Sequence, residues 1–136
     1  MASRSLDDLA PPVKAAALSF LAAADIRGLD VLIYCTSRSH VEQAKLYTIG
    51  RTVPGLRVTN AKPGDSLHNP DLNGKSWAFD AVPMVGGKCM FHDEVLIKRM
   101  GLVGEAVGLE WAGRWTGSMK ESVHFQIKKG KTNEPN

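Results

Sequence analysis

The stretch Ser66-Leu67-His68-Asn69-Pro70-Asp71-Leu72-Asn73-Gly74-Lys75-Ser76-Trp77-Ala78-Phe79-Asp80 decides how this chain is read. It is loop-like as far as Gly74, then turns apolar and aromatic, and predicts a strand over Trp77 to Val82. A second segment, Glu121-Ser122-Val123-His124-Phe125-Gln126-Ile127, predicts a closing strand over His124 to Ile127. The two segments share three side chains able to hold zinc, His68, Asp80 and His124, with Glu121 three residues before the last. Three protein ligands leave one tetrahedral position open for water, which separates a catalytic zinc site from a closed structural one.

The flanking sequence fills in the frame. Ser5 with Asp8 resembles a capping box, although Pro11 and Pro12 restrict the residues before them. A first long helix is expected from Pro12 to Ile26, stopped at Gly28, and a strand from Asp30 to Thr36. Ser39 and Glu42 form a second capping box, opening a helix that carries Gln43, Leu46 and Tyr47 and ends at Gly50. Arg51 to Gly74 is a loop containing Pro54, Pro63 and Pro70, long enough to suggest function. Asp93 to Gly108 predicts a third helix. The expected fold is α+β, a single small domain with helices packed on a small, mainly antiparallel sheet.

Composition bounds the function classes. A chain of 136 residues is one domain by the usual prior, and 43% hydrophobic with 23% charged residues excludes disorder and a membrane span. Residues 5–127 are the expected core, with a basic flexible tail over 128–136 that includes Lys128, Lys129 and Lys131. The formal net charge of +3 is too mild for a nucleic-acid partner without a dense basic face. The Ala-rich run from Lys14 to Ala24 is flanked by Asp7, Asp8 and Asp25 and is too short to cross a bilayer, so no membrane insertion and no secretion signal are expected.

The single residues have bland and sharp readings. Asp80 lies between Phe79 and Ala81, where an unpaired carboxylate is costly to bury and a nearby cation removes that cost. His124 is pressed between Val123 and Phe125 in the same way, and His68 sits in a polar loop. Asp71 is the competing carboxylate beside His68. His40 and His92 read as histidines at helix starts with structural or solvent roles. Cys35, in the apolar run Val31 to Cys35, reads as a buried free thiol before it reads as a nucleophile, and with Cys89 in no CxxC spacing no disulfide framework is indicated.

At these residues the sequence resembles the LAS-type zinc peptidases: the D-alanyl-D-alanine carboxypeptidases and dipeptidases and the L-alanyl-D-glutamate peptidases of phage-endolysin type. The likeness rests on Ser66-Leu67-His68, Ala78-Phe79-Asp80 and Glu121-Ser122-Val123-His124-Phe125. It extends to Thr36-Ser37-Arg38-Ser39-His40-Val41-Glu42-Gln43, to Leu46-Tyr47 and Gly50-Arg51-Thr52, and to Gly108-Leu109-Glu110-Trp111-Ala112-Gly113-Arg114-Trp115. The loop from His68 to Asp80 is longer than the family's commonest form, Glu121 stands where many members have Asp, and Arg114 where Asp is common.

The resemblance implies a hedgehog/D-Ala-D-Ala peptidase-like fold and one zinc ion per chain on His68, Asp80 and His124. It implies Glu121 as the proton acceptor and donor and Arg38 as the group facing the developing oxyanion, where the bland reading is a surface arginine at a helix start. Ser66 and Gln43 are the substrate-binding candidates, Ser66 alternatively orienting a ligand and Gln43 supporting the cleft from the second helix. The implied activity is hydrolysis of bacterial peptidoglycan stem peptides, first at L-alanyl-D-glutamate and alternatively as a D-alanyl-D-alanine carboxypeptidase. From another class, a noncatalytic zinc-containing wall-binding domain is the competing expectation. The implied setting is a monomeric phage or prophage endolysin, held in the host cytoplasm until a holin releases it to the periplasm and cell wall.

Overall fold

The computed structural model describes residues 2–55, 67–117 and 120–127. In chain order it contains α1 (Pro11–Ile26), β1 (Asp30–Cys35), α2 (His40–Thr48), β2 (Ala78–Val85), β3 (Lys88–Cys89), α3 (Glu94–Ala106), β4 (Glu110–Trp111) and β5 (His124–Gln126). The sheet runs in the order β1-β2-β5-β4, with β3 also on β2, and every strand pair is antiparallel. This is the α+β arrangement that the sequence predicted.

Local chemistry sets the boundaries. Pro11 and Pro12 occupy the first turn of α1, where the missing N–H has no partner to lose, so the helix begins one residue earlier than expected. The Ser39–Glu42 capping box forms in both directions, each hydrogen bond at 3.1 Å. Ser5 caps only a three-residue 3-10 turn, Leu6–Asp8, because the prolines start the next helix directly after it. At α3 the Asp93 side chain accepts from Leu96 N.

Two strand readings are corrected and a short strand is added. β1 ends at Cys35 rather than Thr36, beside a register shift between Ile33 and Cys35. β2 continues past Val82 to Val85 and turns back into β3 through Gly86 and Gly87, both at positive φ, as a two-residue hairpin turn requires. β4 is two residues long, too short for any periodicity to announce it.

The core lies on one side of the sheet. Val13, Ala17, Phe20 and Ala24 of α1 are buried at spacings of four, three and four, a helical stripe. Phe20 meets Phe79 of β2 at 5.7 Å and Phe125 of β5 at 5.0 Å between ring centroids, and those two rings stack at 5.6 Å. α3 approaches closely because it offers glycine where it crosses the sheet: a Cβ on Gly101 would lie 2.3 Å from the Trp111 ring, and one on Gly104 2.3 Å from Phe125. Successive side chains of a strand point to opposite faces, so Phe79 and Phe125, packed into this core, leave their neighbours Asp80 and His124 to the other face.

Candidate active site

Asp80 and His124 are register partners on β2 and β5, so the sheet itself brings them face to face. His68 reaches them from the loop before β2. Its segment is stitched down by backbone bonds from Arg38 N to His68 O at 2.8 Å and from Trp77 N to Leu67 O at 2.8 Å. The Asn69 amide adds a donation to Arg38 O at 2.6 Å. These bonds hold His68 in a fixed place.

Three donor atoms then converge: His68 Nε2 to Asp80 Oδ1 is 3.0 Å, His68 Nε2 to His124 Nδ1 is 3.2 Å, and His124 Nδ1 to Asp80 Oδ1 is 3.4 Å. Zinc bonds of about 2.0–2.1 Å at tetrahedral angles place donor atoms about 3.3–3.4 Å apart, so the triangle fits a zinc ion with modest expansion. The three residues are between 2% and 9% exposed, a degree of burial that polar groups of this kind sustain only with partners. A looser set also exists, since Cys35 Sγ, His68 and Asp80 offer ligand atoms within 4.8 Å of one another. Cys35 lies 3.8 Å from Nδ1 of His68, the nitrogen turned away from the triangle, beside Thr36 O at 3.4 Å. With Nε2 directed at the triangle, Nδ1–H faces the Thr36 carbonyl and the thiol, which hold the ring from behind.

Charge accounts for the site without a metal. Burial works against a protonated His68, but the Asp80 carboxylate outweighs it and lifts the imidazole to about 10. Asp80 shows the reverse: burial raises its pKa, while the charge and hydrogen bond of His68, with His124 alongside, hold it well below the ordinary carboxylate range. A proton on His68 Nε2 thus sits between the donor atoms that a cation would join.

Two further groups border the triangle. Glu121 Oε2 lies 3.6 Å from His124 Nδ1, positioned by a turn in which His124 N donates to Glu121 O. Its side chain is 30% exposed, so it faces both the donor atoms and solvent. Arg38 sends Nη2 to within 3.7 Å of Asp80 Oδ2, while Nη1 donates to Gln43 Oε1 at 2.8 Å. Gln43, predicted as a substrate-binding residue, is fully buried, so it acts from beneath by fixing the guanidinium and has no surface for a substrate. Ser66 and the basic tail 128–136 lie outside the described residues.

Other candidates find ordinary employment. Asp71 folds its own loop, accepting from Asn73 N and Lys75 N with Oδ1 and from Trp77 Nε1 with Oδ2, and so is no ligand in place of Asp80. His40 and His92 are exposed. Arg114 pairs through two nitrogens with Glu105 of α3 and lies 5.9 Å from the centre of the Trp111 ring. The Trp115 ring lies 5.7 Å from that of His124 and walls one side of the site. Sequence reasoning passed over Gln126, whose amide contacts His124 Nε2 at 2.7 Å. Its spacing of two from His124 on a strand was the available signal.

The chain belongs to the L-alanyl-D-glutamate peptidase family. It is 36% identical over 129 residues to the peptidoglycan L-alanyl-D-glutamate endopeptidase CwlK of Bacillus subtilis (strain 168), an alignment covering 88% of this chain and 74% of that protein. Its fold is similar to the crystal structure of the Serratia marcescens L-Ala D-Glu endopeptidase ChiX, with a TM-score of 0.64 at 19% identity, over 96% of this chain and 91% of that one. No protein-family model matches the sequence.

Proposed function

We propose that this protein is a zinc-dependent peptidoglycan endopeptidase that cuts the stem peptide between L-alanine and D-glutamate. The observation that carries the reading is the triangle of His68 Nε2, Asp80 Oδ1 and His124 Nδ1, with edges of 3.0 to 3.4 Å and a carboxylate at its rim. The choice of bond is supported by the activity of CwlK, over whose length most of this chain aligns.

His68, Asp80 and His124 would hold the metal, which when bound supplies Lewis acidity and makes water a nucleophile at neutral pH. Glu121 accepts the proton of the attacking water and returns it to the leaving amine; its exposure on the solvent side lets it do both. Arg38, held by Gln43, directs a fixed positive charge toward the oxyanion that develops on the scissile carbonyl. A wall-binding domain would have no use for a proton acceptor in Glu121's position. We further read the enzyme as a monomer of the phage-lysis type, which predicts that expression lyses bacteria only when a holin is co-expressed.

The test is zinc content by mass spectrometry on wild type beside His124→Ala, with turbidity loss of permeabilised Gram-negative cells and identification of the released fragments. One zinc per chain, lost together with lysis in the variant and accompanied by peptides beginning at D-glutamate, is expected. Released D-alanine would reassign the bond to that of a carboxypeptidase, and lysis by metal-free protein would overturn the site.

A further inference from the structure

His124 points Nδ1 into the donor triangle, whereas His68 points Nε2, so the two histidines need opposite tautomers when neutral. For His68 the remaining nitrogen faces a carbonyl and a thiol. For His124 it faces an amide, and an amide can present either its oxygen or its NH2. Something must orient that amide.

The sheet supplies it. His124 and Gln126 are two apart on β5 and share a face, and Gln126 is the register partner of Glu110 on β4. Gln126 Nε2 donates to Glu110 Oε1 at 2.6 Å, and Gln126 Oε1 lies 2.7 Å from His124 Nε2. An ionised carboxylate only accepts, so turning the amide over would set oxygen against oxygen across the 2.6 Å contact with Glu110. The oxygen is thereby committed to His124, whose Nε2 must carry the hydrogen, leaving the Nδ1 lone pair for the triangle.

We propose that Glu110 and Gln126 are positioning residues: through the chain Glu110–Gln126–His124 they select the His124 tautomer that binds the metal and so set metal affinity. The proposal rests on the functional reading above for its consequence, though the tautomer itself does not depend on it. The chain ends on a carboxylate, which strengthens each hydrogen bond along it and makes the ligand nitrogen a better donor to a metal.

The experiment measures zinc affinity by competition with a chromophoric chelator, on wild type, Glu110→Gln, Gln126→Leu and the exchanged pair Glu110→Gln/Gln126→Glu. The His124 tautomer of each metal-free protein is read from its ring 15N shifts. Loss of a hydrogen-bond partner behind a metal-ligating histidine lowers metal affinity about 10- to 100-fold, and that loss is expected for Gln126→Leu. Glu110→Gln, which keeps the shape but frees the amide to turn over, should lose part of it and show mixed tautomers. The exchanged pair again presents an acceptor to Nε2–H and should recover both readouts, which separates the chain from a general effect on folding. Wild-type affinity and a pure Nε2–H tautomer in both Glu110→Gln and Gln126→Leu would overturn the proposal. A wild-type protein that bound no zinc would instead overturn the functional reading, while the tautomer measurement still decided the chain.

Discussion

The two faces of the sheet share the same strands and are held by different physics. Phe79 and Phe125 look toward α1 and α3 and pack with Phe20, a contact whose energy is non-directional and scales with the apolar area removed from water. Asp80 and His124, next to them in sequence, look the other way into a buried polar cluster whose atoms must meet within hydrogen-bonding distance. The first face gives the strands their place; the second uses that place. An apolar face tolerates exchange of shape for shape, whereas the polar face tolerates no unpartnered atom, and among the described residues no buried side-chain nitrogen or oxygen lacks a hydrogen-bond partner.

Several substitutions probe that division. Phe125→Ala removes a fully buried ring between Phe20 and Phe79 and should cost about 3–5 kcal/mol of unfolding free energy, checked by urea titration. The protein that remains folded should still bind zinc, and a variant that kept its stability would show that the core face is not what holds the strands. Glu121→Gln is the mirror case: about a 10²- to 10⁴-fold fall in kcat is expected, with the melting temperature and zinc content of wild type. Full lytic activity in that variant would end the proton-transfer role. Gly104→Ala places a methyl group against the Phe125 ring and should cost about 1–3 kcal/mol, readable by thermal melts; an unchanged melt would mean that α3 shifts to make room. Arg114→Ala, which removes an exposed pair with Glu105, should leave the thermal melt close to that of wild type.

The pH dependence of the metal-free protein sharpens the comparison, because only the polar face titrates. Asp80 is lowered in the folded state, so its contribution is present above its ordinary value of 3.8 and disappears as pH falls further. His68 is raised, so its contribution is complete below 6.5 and is lost as pH climbs toward about 10. These are two views of one ion pair. Metal-free protein should therefore melt highest between about pH 4 and 6.5 and progressively lower toward pH 10. Zinc should reverse the alkaline part of the trend, since a ligand histidine must release its proton to bind. A flat alkaline limb in melts of the chelator-treated protein would show that His68 is not paired with Asp80.

Much of this was readable from residues alone. Helix starts were legible because capping is local: Ser39 with Glu42 and Asp93 before Leu96 each satisfy donors within three residues. Asp80 and His124 were legible as polar residues among apolar neighbours, and His68 and Glu121 through a resemblance over nearly the whole chain. β4 was not legible, because two residues carry no period and its pairing with β5 is a long-range event. Of the two readings of Gln43, substrate contact and support of the cleft, only the fold favours the second, because its burial under Arg38 belongs to the packing of α2. Cys35 was rightly read as a buried thiol, and only the fold put it behind His68.

By itself, then, the sequence determined the α+β class and, to within a residue or two, the helix starts, and it named the candidate donor residues, since these follow from short-range hydrogen bonding and from side-chain chemistry. Tertiary structure alone decided which nitrogen of each histidine faces the triangle. His68 meets Thr36 and Cys35, distant in the chain, while the neighbour of His124 on its own strand, Gln126, is oriented by the distant Glu110. Strand register brings Glu110 to Gln126, and no local property of either residue encodes that meeting.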